Sequence, residues 1–331
     1  MLNQLFIPTI AKFKDDITKS LEISKSLIEK EYNSGLMLVV LGGLKGIIED
    51  AEKQYFNLRE FKEIYGDTPI VTMLSNMPIK EIDFLNNTEF TKEHVKKGID
   101  FTKELPIGGK RILTFHLNSL VSKKEFVSKI EEEWKKQFQE IIFPVLREIA
   151  NYAKSKEVEV KIETSPVPEF GDFPNNDERI YRGVKLNNLR NPFYLTHIWG
   201  FEQIRASGLG ICLDLCHNKT IYSLVKIGDP ENLLHSSDRE LLKDKGLLED
   251  VLALSSSDLV HLNDGKGLYS EKNKTLFEEG ICLGEGEIKD LRKIINHLNF
   301  NKIPCVLEIN EENYATRSNT KKSIKYLLNN G

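Results

Sequence analysis

Four apolar runs in this chain each lead into a residue able to bind a metal or carry a proton. Residues 158–162 run into Glu163, 210–213 into Asp214, 259–260 into His261, and 305–307 into Glu308. Runs of this kind read as buried strands. A carboxylate at the end of a buried strand needs a charged partner or a metal, because an unpaired buried charge is costly. One acid at one strand end is most often solvated, but four such ends coincide far less readily. The set therefore predicts a single metal site at one end of a parallel sheet. Three oxygen donors and one nitrogen suit one divalent ion such as Mn²⁺, Zn²⁺ or Co²⁺, with a second ion possible. Carboxylates serve as ligands and as proton carriers, and a metal beside them stabilises an alkoxide or enediolate.

The elements that must position these residues follow a regular rhythm. Strands are expected over 5–10, 36–41, 69–74, 110–116, 157–163, 209–215, 258–262 and 303–309. Helices are expected over 12–32, 49–65, 91–103, 123–156, 196–207, 238–254, 287–298 and 319–329, with Thr91 as a helix cap and a break near Pro144. Eight strands alternating with eight helices in 331 residues predict a (β/α)₈ TIM barrel, an α/β fold, as one domain over 1–331. Two connections are long: 164–195 after strand five and 218–237 after strand six. Both leave the C-terminal ends of strands, the face that carries chemistry in such barrels, so substrate selection is expected there. Alternation tests the placement. Glu159, Lys161 and Glu163 share one face of strand five, while Val158, Val160 and Ile162 share the other. Turning the apolar face toward the helices points the charged row into the barrel. The same logic turns Ile112, Thr114, His116, Val306 and Glu308 inward, and Leu113, Phe115, Cys305 and Leu307 outward.

Composition narrows the function classes. Apolar residues make up 40% and charged residues 29%, enough for a sizeable core. A net charge of −4 is not that of a chain held to nucleic acid by bulk charge. Four cysteines without a Cys-x-x-Cys pair argue for reduced thiols rather than a disulfide framework. No basic segment followed by an apolar stretch opens the chain, and no apolar run approaches the roughly 20 residues of a membrane helix. A cytoplasmic protein without a membrane partner is expected.

The segments Gly210-Ile-Cys-Leu-Asp214-Leu-Cys-His217, Val260-His261-Leu-Asn-Asp264-Gly-Lys266, Leu283-Gly284-Glu285-Gly286-Glu-Ile288 and Val306-Leu-Glu308 together resemble the xylose isomerase-like TIM-barrel superfamily. That group holds sugar-phosphate isomerases and epimerases, related dehydratases and the endonuclease IV family. The resemblance covers the second half and reaches back to Phe115-His116; before about residue 110 it is rhythm alone. It implies that Glu163, Asp214, His261 and Glu308 are the metal ligands. It also implies that Glu163 and Glu308 are the catalytic pair that exchanges a proton at carbon. His217 matches a histidine that contacts substrate in epimerase-like members and binds a further zinc in the endonucleases. His116 matches a pocket histidine or another zinc ligand. Glu285 matches a residue that orients ligands.

Departures from the endonuclease pattern are specific. Residues 71–76, Val-Thr-Met-Leu-Ser-Asn, supply no histidine after strand three. Phe277-Glu-Glu-Gly-Ile-Cys282 lacks the expected Asp-x-His, and Glu278 is a stand-in for its acid only. The leading reading is a metal-dependent isomerase or epimerase of a sugar-like or hydroxy-ketone substrate, with a small-molecule partner. A zinc-dependent AP endonuclease, whose partner is nucleic acid, and a metal-stabilised binding protein without turnover are the alternatives.

Weaker signals complete the candidate set. Lys161, one layer below Glu163, either pairs with an acid such as Glu159 or contacts substrate. Lys266 between two glycines, and Arg317 after strand eight, are candidates for a substrate phosphate or carboxylate. Asn263 is a candidate to orient a ligand or bind a hydroxyl. Trp199 and Phe201 read as core, Gly42-Gly43 as a turn, and Cys216 as packing beside the metal. Oligomeric state has no signal in the sequence.

Overall fold

Eight short segments rich in Val, Ile and Leu pair edge to edge, all parallel, until the first meets the last. In chain order they are Leu5–Ile10, Ser34–Val40, Ile70–Leu74, Arg111–His116, Glu159–Glu163, Gly210–Asp214, Leu259–His261 and Cys305–Val306. The first pairs with both the second and the eighth, so no sheet edge remains. This is a (β/α)₈ TIM barrel in one domain, as the alternation of elements predicted. The computed structural model describes residues 4–10, 14–40, 69–74, 82–105, 110–168, 180–181, 183–185, 188–267 and 277–330. The expected helix over 49–65, the turn Gly42-Gly43, Ser75-Asn76 and most of 164–188 lie outside the described residues.

Two cores follow from the strand alternation. Phe6, Met37, Val71, Ile112, Cys212, Leu259 and Val306 form one buried apolar cluster, one residue from each of seven strands. The outward set, including Leu113, Phe115, Val160, Ile162, Leu213, Cys305 and Leu307, packs in the larger cluster with the helices. The fifth strand contributes no apolar side chain to the inner cluster. It contributes the charged row Glu159, Lys161 and Glu163 instead.

The helical layer differs from expectation at four places, each with a local cause. The stretch 123–156 is not one helix broken at Pro144. It comprises Lys123–Ser128, Glu131–Gln137, a π turn over Phe138–Ile142, and Phe143–Ser155. Ile130 is extended, and its N–H donates to the Glu133 carboxylate at 2.9 Å, starting a new helix. Pro144 sits in the first turn of the last helix, where a missing N–H costs nothing. The expected helix 238–254 divides into Ser236–Leu242 and Leu247–Leu252, because the Gly246 N–H is capped by Glu249 at 2.8 Å. Thr91 does not cap its helix, which begins at Thr88; its hydroxyl instead accepts from the Asp83 N–H at 2.8 Å.

The fourth difference bears on the site. Residues 218–237 are not a long loop, since the helix Leu215–Lys226 occupies the first nine. Asp214 caps that helix by accepting from the His217 N–H at 3.0 Å. Ile221 and Leu224 then bury against Leu233, Leu234 and Leu242. Among the described residues, no helix is long and apolar enough to cross a membrane.

Candidate metal centre at the C-terminal end of the barrel

Strand register brings the four expected ligands to one level. His116 lies opposite Glu163, Cys212 opposite Glu163, Asp214 opposite His261, and His261 opposite Val306. One donor atom each from Glu163, Asp214, His261 and Glu308 lies within 4.8 Å of all the others. The His261 Nδ1 atom is 3.1 Å from Glu163 Oε1, 3.7 Å from Asp214 Oδ2 and 2.8 Å from Glu308 Oε2. Glu163, Asp214 and His261 are buried, while the Glu308 side chain is 29% exposed and so marks the open side.

The donor chemistry of these four suits a cation. Neither oxygen of Glu163 and neither ring nitrogen of His261 has a hydrogen-bond partner of adequate geometry among the described residues. Buried polar atoms left this way are costly unless another group completes them. Three carboxylates and an imidazole fit a divalent ion of intermediate hardness. A second group, His116, Glu163 and His217, meets the same distance criterion and is a possible metal-binding cluster as well.

Electrostatics agree with a site built for positive charge. Burial pushes the Glu163 carboxyl up, but His116 and His261 outweigh it and hold it far below the ordinary carboxylate range. Burial likewise opposes ionisation of Asp214, and His217 and His261 overcome it. At Glu308 burial wins over His261 and raises the carboxyl. Burial disfavours the His261 imidazolium, yet Cys212, Glu308 and Glu163 raise it well above its usual value. His217 behaves alike: burial is overcome by Asp214, Glu279 and Glu163, and its pKa rises to about 10.

Supporting contacts orient Asp214. Its Oδ2 accepts from Asn263 Nδ2 at 2.9 Å, and its Oδ1 accepts from the His217 N–H and from Cys216 Sγ at 3.0 Å. Asn263 Oδ1 in turn accepts from the Cys216 N–H at 3.0 Å. Asn263 is thus tied to a ligand rather than open for a substrate hydroxyl. Cys216, expected as packing alone, touches a ligand directly. His116 Nε2 lies 3.0 Å from Glu163 Oε1, and its Nδ1 is 3.2 Å from Ser165 Oγ. The His217 Nδ1–H donates to the Thr164 carbonyl at 2.7 Å.

Four expected site residues fall elsewhere. Lys161 does point into the barrel, but its ammonium is held by Glu159 at 2.9 Å and by the Ser257 carbonyl, which precedes strand seven. It therefore serves the N-terminal end. Glu285 does not orient a ligand; it is exposed and pairs with Lys322. The turn that carries it is organised by Asp264. One oxygen of Asp264 accepts from the Gly284 and Gly286 N–H groups at 3.2 and 3.0 Å, and the other from Ile288 at 3.0 Å. A Cβ at Gly286 would lie 2.1 Å from that carboxylate, which explains the glycine. Lys266 is exposed on the hairpin Asp264–Lys266 with Glu278–Ile281. Arg317 is buried in an ion pair with Asp16 at 2.7 Å, so it ties the first and last helices together. Trp199 and Phe201 pack in or against the outer core, as expected.

One residue escaped the sequence reading. Glu279, not its neighbour Glu278, faces the site, with Oε2 3.3 Å from His217 Nε2. The signal available was the hairpin: alternation on a strand over 278–281 puts 279 and 278 on opposite faces.

Comparison with known proteins agrees with this architecture. A family model described as xylose isomerase-like TIM barrel matches residues 43–330. A D-tagatose 3-epimerase-like protein superposes with a TM-score of 0.52 at 17% identity, covering 98% of this chain and 97% of that one. A D-allulose 3-epimerase from Methylomonas sp., solved with D-allulose, gives 0.54 at 11% identity, covering 99% and 98%. A xylose isomerase-like TIM barrel protein from Mycobacterium smegmatis, in complex with magnesium, gives 0.52 at 11% identity, covering 98% and 95%. At such identities the likeness is one of fold. A search of curated proteins finds no match. With the matched span covering most of the chain and the barrel and strand-end residues in place, the chain belongs to the xylose isomerase-like TIM barrel family.

Proposed function

We propose that this protein is a divalent-metal-dependent isomerase or epimerase acting on a sugar-like or hydroxy-ketone substrate. The observation that carries the reading is the pairing of Glu163 and Glu308 across His261. Both glutamates approach the same Nδ1 atom, at 3.1 and 2.8 Å, yet they come from opposite sides of strand seven, Glu308 from adjacent strand eight and Glu163 from strand five beyond strand six. Two carboxylates flanking one small volume suit removal of a proton from carbon by one and return by the other. Glu163, Asp214, His261 and Glu308 would hold the ion, which when bound supplies polarisation of adjacent substrate oxygens. Mn²⁺, Zn²⁺ and Co²⁺ fit this donor set. The epimerases among the structural neighbours support the same substrate class.

In this mechanism Glu163 accepts the proton from the carbon beside the carbonyl. Its position is fixed by His116 and by burial within the strand. Glu308, at the open side, gives its own proton to the other face of the planar enediolate, so that Glu163 ends protonated and Glu308 ionised until both exchange with solvent. His217 holds a substrate oxygen, and the first residues after strand five exclude water. Asp214 and Asn263 do not touch the reacting atoms; they keep the ligand shell in place. A second metal ion at His116, Glu163 and His217 would require release of one His217 contact, that of Nδ1 with the Thr164 carbonyl or that of Nε2 with Glu279.

Solvent exchange tests the proposal. Protein loaded with Mn²⁺ and incubated with D-allulose, D-tagatose or L-ribulose in D₂O is expected to wash deuterium into the carbon next to the carbonyl, seen by NMR. No exchange with any of these ketoses, together with nicking of abasic duplex DNA, would replace the isomerase reading by the nuclease one.

A further inference from the structure

We infer that Glu279 is a specificity residue of this site: with His217 it forms a polar clamp for a hydroxyl of an uncharged polyol, and it disfavours a phosphorylated one. The inference rests on the isomerase reading for its substrate class.

Placement is the first support. Glu279 lies on the strand Glu278–Ile281, which pairs antiparallel with Asp264–Lys266. The hairpin is seated directly on the start of the helix that carries His217. A Cβ at Gly265 would meet Cys216 Cβ at 2.9 Å, so only glycine lets the hairpin descend this far. From the other side, Asn310 beyond strand eight donates its side-chain amide to the Glu279 carbonyl and its N–H to the Gly280 carbonyl, both at 2.8 Å. The backbone of Glu279 is thus pinned by the exits of strands seven and eight.

Orientation is the second. The Thr164 carbonyl can only accept, so His217 Nδ1 carries a proton and Nε2 is the atom left for other partners. Glu279 Oε2 faces that atom at 3.3 Å. Of the two Glu279 carboxylate oxygens, only Oε2 makes a hydrogen bond among the described residues, and the side chain is 44% exposed. An ionised carboxylate is acceptor-only, so its natural ligand is a hydroxyl donor.

Charge selects the class. Among the described residues of the site, Glu308 and Glu279 are the carboxylates with part-exposed side chains, at 29% and 44%. Of the nearby lysines, Lys219 binds Glu287 at 2.8 Å, and Lys266 is exposed on the hairpin. A phosphate beside Glu279 would meet like charge.

The test is ligand binding and turnover by Glu279→Ala, Glu279→Gln and Glu279→Lys, each loaded with Mn²⁺. Isothermal titration with D-allulose and with xylitol, which has no carbonyl, reads the clamp without chemistry. Glu279→Ala is expected to weaken both by about 10- to 100-fold, the loss typical of a hydrogen bond to a charged group. Turnover should show that loss in KM, with kcat changed by about threefold or less. Glu279→Gln should recover most of the affinity, and Glu279→Lys should favour a ketose phosphate over the free ketose. Unchanged polyol binding in Glu279→Ala, no binding of D-allulose or xylitol by the wild type, or equal loss in Ala and Gln, would overturn the inference. Wild-type binding that depends on Glu279 without any turnover would sink the isomerase reading and leave the clamp standing.

Discussion

Strand five carries the same chemistry at its two ends and uses it in opposite ways. At the lower end Lys161 is buried, and its ammonium is bound by Glu159 and by the Ser257 carbonyl. Glu163 lies four positions beyond Glu159 on the same inward face, yet it has two buried oxygens without hydrogen-bond partners of adequate geometry among the described residues. The lower cluster is closed: each charge has its counter-charge within the chain. In the upper cluster His261 Nδ1 approaches Glu163 and Glu308 to 3.1 and 2.8 Å, but neither Glu163 oxygen gains a hydrogen bond of adequate geometry among the described residues. Charge inside a barrel is therefore not by itself a sign of function. What separates the two ends is whether the protein satisfies the charge.

The upper end should give the largest effects. Glu308→Gln keeps the shape and removes the proton carrier, so turnover is expected to fall by about 10²- to 10⁴-fold with the fold retained by circular dichroism. His261→Ala should abolish the rise in melting temperature that Mn²⁺ produces in the wild type, a rise worth about 2.7 kcal/mol at one hundred times the dissociation constant. If Mn²⁺ stabilises the His261→Ala protein as well as the wild type, the convergence at the upper end is not a metal site.

How far the two ends were legible in the sequence differs for physical reasons. Alternation is a local property, so the inward faces of strands four, five and eight could be read from short windows, and the four converging strand-end residues with them. His217 followed because it lies one helical turn beyond Asp214. The fate of Lys161 was harder. Period two gives the face of a strand but not the direction along the barrel axis in which a long side chain reaches. Glu285 and Asp264 exchanged roles because a turn has no periodicity to assign its side chains. The Asp264 carboxylate gathers N–H groups more than 20 residues downstream, at Gly286 and Ile288. Glu279 reaches His217 only through a hairpin whose two strands are separated in sequence, and their pairing is a tertiary fact. Thr91 and the expected loop after strand six failed for the same kind of reason: helix starts were set by Asp83 and Asp214, through contacts that propensity does not contain.

The turn beside the site sharpens the contrast between satisfied and open charge. Asp264→Ala leaves the Gly284, Gly286 and Ile288 N–H groups without their acceptor. It is expected to cost about 2–4 kcal/mol in denaturant unfolding, and to lower turnover by displacing the hairpin. Glu285→Ala, one residue from Gly286, should leave both unchanged. Equal effects of the two would mean that the acid of the Gly-Glu-Gly turn, rather than Asp264, supports the site.

At the lower end Lys161→Met is expected to cost about 1–2 kcal/mol in stability, because Glu159 and the Ser257 carbonyl lose a partner. Turnover should stay within about threefold of the wild type, since conservative changes away from reacting atoms seldom alter the barrier by more than that. A Lys161→Met protein that folds normally but has lost turnover would break the comparison between the two ends.

The smallest effect is the acid titration of the same pair. Burial raises the Glu159 carboxyl, but Lys161 and Lys110 outweigh it, so the folded value lies below the unfolded value of 4.5. A carboxyl lowered on folding contributes stability that is complete above its unfolded pKa and is lost as pH falls through its folded one. The loss should thus begin below about pH 4.5, when the unfolded chain takes up the proton first. The Glu159 side chain is 40% exposed, and solvent screening limits the contribution to no more than about 1 kcal/mol. The measurement is the difference in unfolding free energy between wild type and Lys161→Met across pH 3 to 6. The two curves should converge toward the acid end, because protonated Glu159 no longer distinguishes a lysine from a methionine beside it. Curves that stay parallel would mean that Lys161 stabilises the barrel by packing and by the Ser257 carbonyl alone, with no share from the ion pair.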